Sequence, residues 1–282
     1  EYFLENITEM LSKKGVKTSG WQEVALHHSP EMNARIAPRF AGVYCWSTIG
    51  KRDVVPYTVA NEGYDVILCN VNNPHKDEPG LTWGGYVNEF TSFNILPYNI
   101  YCSARENTAG EKNNLKTAGK GKIQLTEQSR PRIKGVQAQL FSETIGSFDM
   151  VQYYVFPKIF GLVERGWNAY PEWSPVPNDD KQALNEKARA IYNAKIAEIE
   201  LPRLAADGFN FRVAQPGIKI VEGKLYANSP IPQAEIRYTT DGSEPTATST
   251  LWEAPVDCSA TVVKAKLFYL GKESHTTDYK ND

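Results

Sequence analysis

The sequence predicts an α/β fold: a partial (β/α)8 TIM barrel made of the last four β/α units, residues 1–207, followed by a small all-β Ig-like sandwich, residues 208–282. Three observations predict it. Up to about residue 207, short apolar runs alternate with helical periodicity, as in parallel strands joined by crossover helices. After Gly208 strand-like runs alternate with turns instead, over a length suited to an Ig-like domain. Four parallel strands alone would leave bare edges and half a core, whereas a barrel takes eight such units.

Each element follows from its local pattern. Phe3, Leu4, Ile7, Met10 and Leu11 recur at helical spacing over 1–14, and Gly15 ends the run. Strands are predicted at 16–21, 40–46 and 64–70, with helices at 31–38 and 51–62 between them. From 71 to about 134 the chain is irregular and rich in Gly, Asn, Pro and aromatics, and the polar, Gly-rich 107–122 segment is expected to be mobile. A fourth strand is predicted at 135–141, an amphipathic helix at 150–167, and a long helix at 181–206 with Tyr192, Ile196 and Ile199 on one side. Strand-like runs at 219–221, 224–227, 235–239 and 261–269 follow, with Asp241-Gly242 as a hairpin-type turn signal. The chain opens at Glu1 inside a helical pattern, without Met or cap. The four absent units are therefore expected before Glu1, whether on another chain, cleaved off, or beyond the sequence given.

Composition narrows the function classes. With 41% apolar and 23% charged residues the chain reads as an ordinary globular protein. A net charge near −2 offers no basic face to nucleic acid or anionic membrane, and no run of about 20 apolar residues predicts a membrane span. Cys45, Cys69, Cys102 and Cys258 lack metal-ligand spacing, and no metal site or cofactor is expected; Cys45 and Cys69 read as small core residues. His27-His28 is adjacent rather than at metal-binding spacing.

In a (β/α)8 barrel the chemistry sits at the C-terminal ends of the strands. Those ends carry Trp21-Gln22-Glu23, Trp46-Ser47, Asn70-Val71-Asn72-Asn73 and Phe141-Ser142-Glu143. Aromatic rings beside a carboxylate suit a pyranose, whose faces are apolar and whose rim is hydroxylated. The competing reading has the same rings capping the barrel core. Glu143 reads as a grip for sugar hydroxyls or as half of a buried ion pair. Glu23 is expected to make structural bonds at the rim. Glu164 and Arg165 read as a packing pair, and Asp77-Glu78 as a solvated loop feature.

Residues 135–143 (GVQAQLFSE) closely resemble the last barrel strand of the family-20 glycoside hydrolases, the β-N-acetylhexosaminidases. Val155-Phe156-Pro157-Lys158 and Glu164-Arg165-Gly166-Trp167 resemble the helix that follows. Gly20-Trp21-Gln22-Glu23, Trp46 and Gly63-Tyr64-Asp65-Val66-Ile67 resemble the fifth, sixth and seventh strands. Residues 238–246 (YTTDGSEPT) resemble the small β-sandwich that follows the barrel in many bacterial members. The similarity runs along nearly the whole chain in the right order.

The resemblance implies an exo-acting, retaining enzyme that releases terminal β-linked GlcNAc or GalNAc from a glycan or glycoconjugate. The substrate's own acetamido oxygen attacks the anomeric carbon, an exception to the two-carboxylate pattern. A Glu acts as acid and then base, with an adjacent Asp holding the acetamido group. That pair belongs to the fourth strand, so no catalytic residue is expected within this chain, which alone should be inactive. Trp21 and Trp46 would wall the acetamido group, Phe141 would stack on the sugar, and Glu143 would hold its outer hydroxyls. The missing N-terminal half of the barrel would be the partner. Export to a periplasm, cell surface or medium is also implied. Two departures stand out. Phe141 replaces the usual Trp, and the family's Tyr-x-Asp element after the seventh strand is absent, which predicts residues lost between Asn73 and Pro74. The alternative is a non-catalytic glycan-binding relative of the same fold. Trp252 is the sandwich's one candidate for a surface contact, with a core position the stronger expectation.

Overall fold

The computed structural model describes residues 1–47, 54–69, 93–98, 100–102, 121–141, 145–174 and 180–280. Glu143, the Asn73–Pro74 junction, Asp77-Glu78 and nearly all of the 107–122 segment lie outside the described residues. The chain forms two compact units. One comprises Glu1–Thr144 with Lys158–Asn185, the other Ile145–Pro157 with Glu186–Asp282.

In the first unit, α1 (Tyr2–Ser12) leads into β1 (Thr18–Trp21), α2 (Pro30–Ile36) into β2 (Phe40–Cys45), and α3 (Val55–Asn61) into β3 (Val66–Leu68). Local chemistry sets the helix ends. The Ser29 hydroxyl caps α2 by accepting from Met32 N at 3.2 Å, with Pro30 in the first turn where no N–H is needed. Gly63 turns the chain out of α3 at φ 101°, a conformation that costs residues with a Cβ.

The fourth strand, β4, spans Ile133–Val136 rather than 135–141. It starts directly after Arg130-Pro131-Arg132, which closes a 3-10 turn, and one more ladder bond follows it, from Gln137 N to Leu68 O at 2.8 Å. Phe141 therefore lies beyond the strand rather than at its tip.

The four strands form one parallel sheet in the order β1-β2-β3-β4. Side chains alternate across it, so each cross-strand row belongs to one face. Cys45 and Leu68 face each other in one row, and Val43 and Val66 in another; all four are fully buried among Ile36, Phe40, Tyr57, Val59 and Ala60. The row between, Trp21–Tyr44–Ile67–Gly135, points to the opposite face and is much less buried. Gly42 belongs to that face too: a methyl there would collide with Ile67 Cδ1, so its bareness lets Ile67 lie across β2.

The helix expected at 150–167 is two helices, α4 (Phe148–Val155) and α5 (Ile159–Trp167). Pro157 lacks an N–H and pushes Phe156 into an extended conformation (ψ 136°), which ends the first helix. On α5, Arg165 is buried and donates to the carbonyls of Phe93 (2.6 and 3.2 Å) and Asn168 (2.6 Å), between the rings of Phe93 and Trp173. Burial pulls its guanidinium down to about 10, still charged at neutral pH. Glu164 is exposed and acts on Arg165 through its charge, while Arg165's hydrogen bonds go to carbonyls.

The long helix also breaks, into α6 (Asp180–Lys195), a π-turn at Ile196–Glu200, and α7 (Leu201–Ala206). Pro202 is the cause: it cannot donate to residue 198, and the backbone widens by one residue there, with Leu201 N bonded to Ile196 O.

The second unit carries two antiparallel sheets. One is β5 (Gly217–Val221), β6 (Lys224–Asn228) and β9 (Val256–Asp257). The other joins β7 (Glu235–Thr239), β8 (Thr250–Leu251), β10 (Val262–Tyr269), β11 (Lys272–Glu273) and β12 (Thr277–Lys280). Strict alternation on β10 buries Val263, Ala265 and Leu267. Val263 joins Leu225 and Cys258 in a core against which Trp252 packs, its Nε1 donating to Leu225 O at 3.3 Å. Trp252 thus serves the core first. Asp241 makes its turn by accepting from Ser243 N at 2.9 Å, and the bonds from Ser243 hold its carboxyl below the ordinary range. The chain between β7 and β8 is nonetheless a ten-residue loop, longer than a tight hairpin.

Candidate functional site

A parallel sheet collects the C-terminal ends of its strands along one edge. Trp21 is the last residue of β1 and Trp46 the first after β2, so both aromatics stand on that edge. They are 42% and 45% exposed, unusually open for tryptophan, and available to a ligand. The Trp21 ring meets Tyr44, its partner in the same cross-strand row, edge-on at 5.9 Å. Phe141 is also exposed, five residues past the end of β4.

The chain between the two tryptophans is held by a residue the sequence did not single out. Gln22 opens a 3-10 turn, Gln22–Ala25, directly after Trp21, and is fully buried. Its carbonyl oxygen accepts from the backbone N–H groups of Trp46 (3.1 Å) and Ser47 (3.0 Å), and its amide donates to Ser47 Oγ (2.5 Å). One side chain thereby fixes the end of β2 to the end of β1. No spacing rule points to such a clamp. The nearest signal is a Gln in a strand-end motif where a surface residue would serve equally well.

Glu23 is the second residue of the turn. The Trp46 indole donates to its carboxylate, 3.1 Å to Oε1 and 3.5 Å to Oε2. Cys69, directly after β3, is buried, and its thiol donates to Ile67 O at 3.8 Å. Burial pushes Cys69 up to about 11 and raises Cys45 further, so neither is a thiolate at neutral pH and neither suits nucleophilic catalysis. At the other edge of the sheet, Asp65 makes half-buried ion pairs with Arg132 (3.4 Å) and Lys134 (3.5 Å), away from the strand-end tryptophans. Of the four expected site residues, the described edge brings together Trp21 and Trp46 and places Phe141 after β4; Glu143 lies outside the described residues.

The profile of the glycosyl hydrolase family 20 catalytic domain matches residues 1–170, and that of the chitobiase/beta-hexosaminidase C-terminal domain matches 200–275. This chain belongs to glycosyl hydrolase family 20. The family is one of TIM barrels, accompanied here by a C-terminal domain. The family 20 chain is 28% identical over 266 residues to the N,N'-diacetylchitobiase of Vibrio harveyi, which covers 86% of this chain and 28% of that protein. It is 24% identical over 269 residues to a beta-hexosaminidase of Vibrio vulnificus, covering 86% of this chain and 31% of the relative. It therefore spans less than a third of the length of these curated relatives. Similar solved structures include the family 20 β-N-acetylhexosaminidase of Streptomyces coelicolor A3(2), at 20% identity and TM-score 0.48 over 75% of this chain and 35% of that one. Another is the Vibrio harveyi exo-β-N-acetylglucosaminidase in complex with N-acetylglucosamine, at 21% identity and TM-score 0.44 over 75% and 27%. Among the described residues, no helix is long and apolar enough to cross a membrane.

Proposed function

We propose that this family 20 chain is the C-terminal half of the barrel of a retaining exo-β-N-acetylhexosaminidase, residues 1–207, carrying an Ig-like sandwich at 208–282. The natural substrate is a glycan or glycoconjugate ending in β-linked N-acetylhexosamine. The observation that carries the reading is the pair of exposed indoles, Trp21 and Trp46, on one strand-end edge and joined through a single buried glutamine. The profile matches at 1–170 and 200–275 support the two-domain division. The half-bare Trp21–Tyr44–Ile67 face supports a sheet completed by further strands.

In this reading the cup binds and orients while polypeptide outside these residues supplies the Asp-Glu pair. Trp21 and Trp46 press on the acetamido group and the sugar face, Phe141 closes the stack, and Glu143 accepts hydrogen bonds from the outer hydroxyls. Excluding water around the acetamido group favours its oxygen as the internal nucleophile. Phe141 is smaller than Trp and brings no N–H donor, which leaves that side of the subsite roomier. The family also supports a protein that works in the periplasm, at the cell surface or outside the cell.

Hydrolysis of a chromogenic N-acetyl-β-glucosaminide tests this. The intact natural polypeptide should turn it over, and the 282-residue chain alone should not. Robust turnover by the chain alone, abolished by Glu143→Gln, would refute the division of labour. Sugar binding without turnover by the intact polypeptide would make it a non-catalytic glycan-binding relative.

A further inference from the structure

We infer that Glu23 is a positioning residue: by holding the Trp46 indole at a fixed angle, it sets the affinity of the cup for an N-acetylated sugar. The inference rests on the sugar-cup reading above and adds to it the residue that orients the second wall.

Both walls hang on the four-residue turn Gln22–Ala25. Trp21 precedes it, Gln22 grips the backbone of Trp46, and Glu23 grips its ring. The backbone clamp alone leaves the indole free to turn about its two side-chain torsions, because the ring stands half exposed at the end of a strand. Nε1–H is the ring's one polar handle. With that handle held by a carboxylate, the indole plane is fixed before any ligand arrives, so ordering it costs nothing on binding. A carboxylate acceptor also has an electronic effect. The charge-assisted bond pushes electron density into the ring, and a more negative π-face attracts the polarised C–H groups of a sugar more strongly. Among the described residues no Lys, Arg or His forms a salt bridge with Glu23, which leaves the indole as the partner that explains its placement.

The test measures N-acetylglucosamine dissociation constants by calorimetry on the intact natural polypeptide, for wild type, E23A, E23Q, W46F, W46A and the double variant E23A/W46F. E23A should weaken binding about five- to tenfold, the scale of one partly exposed charge-assisted hydrogen bond. E23Q keeps an oxygen that accepts from the indole but loses the charge, and should cost about two- to threefold, less than E23A. Phenylalanine has no N–H to hold, so E23A should cost nothing further when added to W46F. Equal losses in E23A and E23Q, no loss in E23A, or an undiminished loss on the W46F background would each overturn the inference. W46A separates the two levels. If W46A weakens binding and E23A does not, the positioning role alone fails; if W46A binds like wild type, the cup itself fails.

Discussion

Replacing Gln22 with Ala removes the clamp between the ends of β1 and β2, and the structure gives the size of the effect. Three hydrogen bonds vanish: two into the Gln22 carbonyl from Trp46 N and Ser47 N, and one from its amide to Ser47 Oγ. Ser47 is buried, so its groups cannot turn to water once the glutamine is gone. At about 1 kcal/mol for each bond the loss is about 3 kcal/mol. For a domain of this size that corresponds to a fall in Tm of roughly 6–12 °C. Urea and thermal unfolding of wild type and Q22A, followed by tryptophan fluorescence, measure it. Because Trp46 hangs on the clamp, its fluorescence should also respond more readily to quencher in the folded variant. A Tm within about 2 °C of wild type, with unchanged quenching, would refute the claim that Gln22 organises this edge.

Glu62 gives a pH-dependent prediction. Burial raises its carboxyl above the ordinary value of 4.5, so the folded chain holds the proton more tightly than the unfolded chain. The stability it contributes is therefore present below the unfolded value and is lost as pH rises through the raised folded value. Glu62→Gln still accepts from Asn33 Nδ2, now at 2.7 Å from Oε2, and should flatten the pH dependence of Tm above the ordinary carboxylate range. An E62Q protein clearly less stable than wild type at neutral pH would contradict this. Tyr57→Phe should cost about 2 kcal/mol in urea unfolding, because the hydroxyl donates to Pro97 O and accepts from Ile100 N, which the change would orphan. A loss below about 0.5 kcal/mol would mean that these groups find other partners.

The second and third strands were legible because parallel strands buried by helices read as apolar runs: Val43 and Cys45, Val66 and Leu68 are core residues. Trp46 was legible on the strand-end edge for the same reason, since the end of an apolar run marks the edge. What was missed is polar or local. Periodicity carried the helices through Pro157 and Pro202, although proline was a visible warning at both places. The fourth strand was set two residues late because Ile133-Lys134 adjoins a proline-containing turn and looked like loop. Gln22 escaped because a glutamine's value depends on what it meets across the fold, here two amides 24 and 25 residues away. Glu23 was expected to bond at the rim, but its partner, the ring of Trp46, could not be read from a single strand end.

The most direct measurement is a structure of the intact natural polypeptide soaked with N-acetylglucosamine. One sugar ring should lodge against the indoles of Trp21 and Trp46, with its acetamido group between them and the Glu23–Nε1 bond intact. A sugar bound elsewhere, with both tryptophans untouched by ligand, would contradict it.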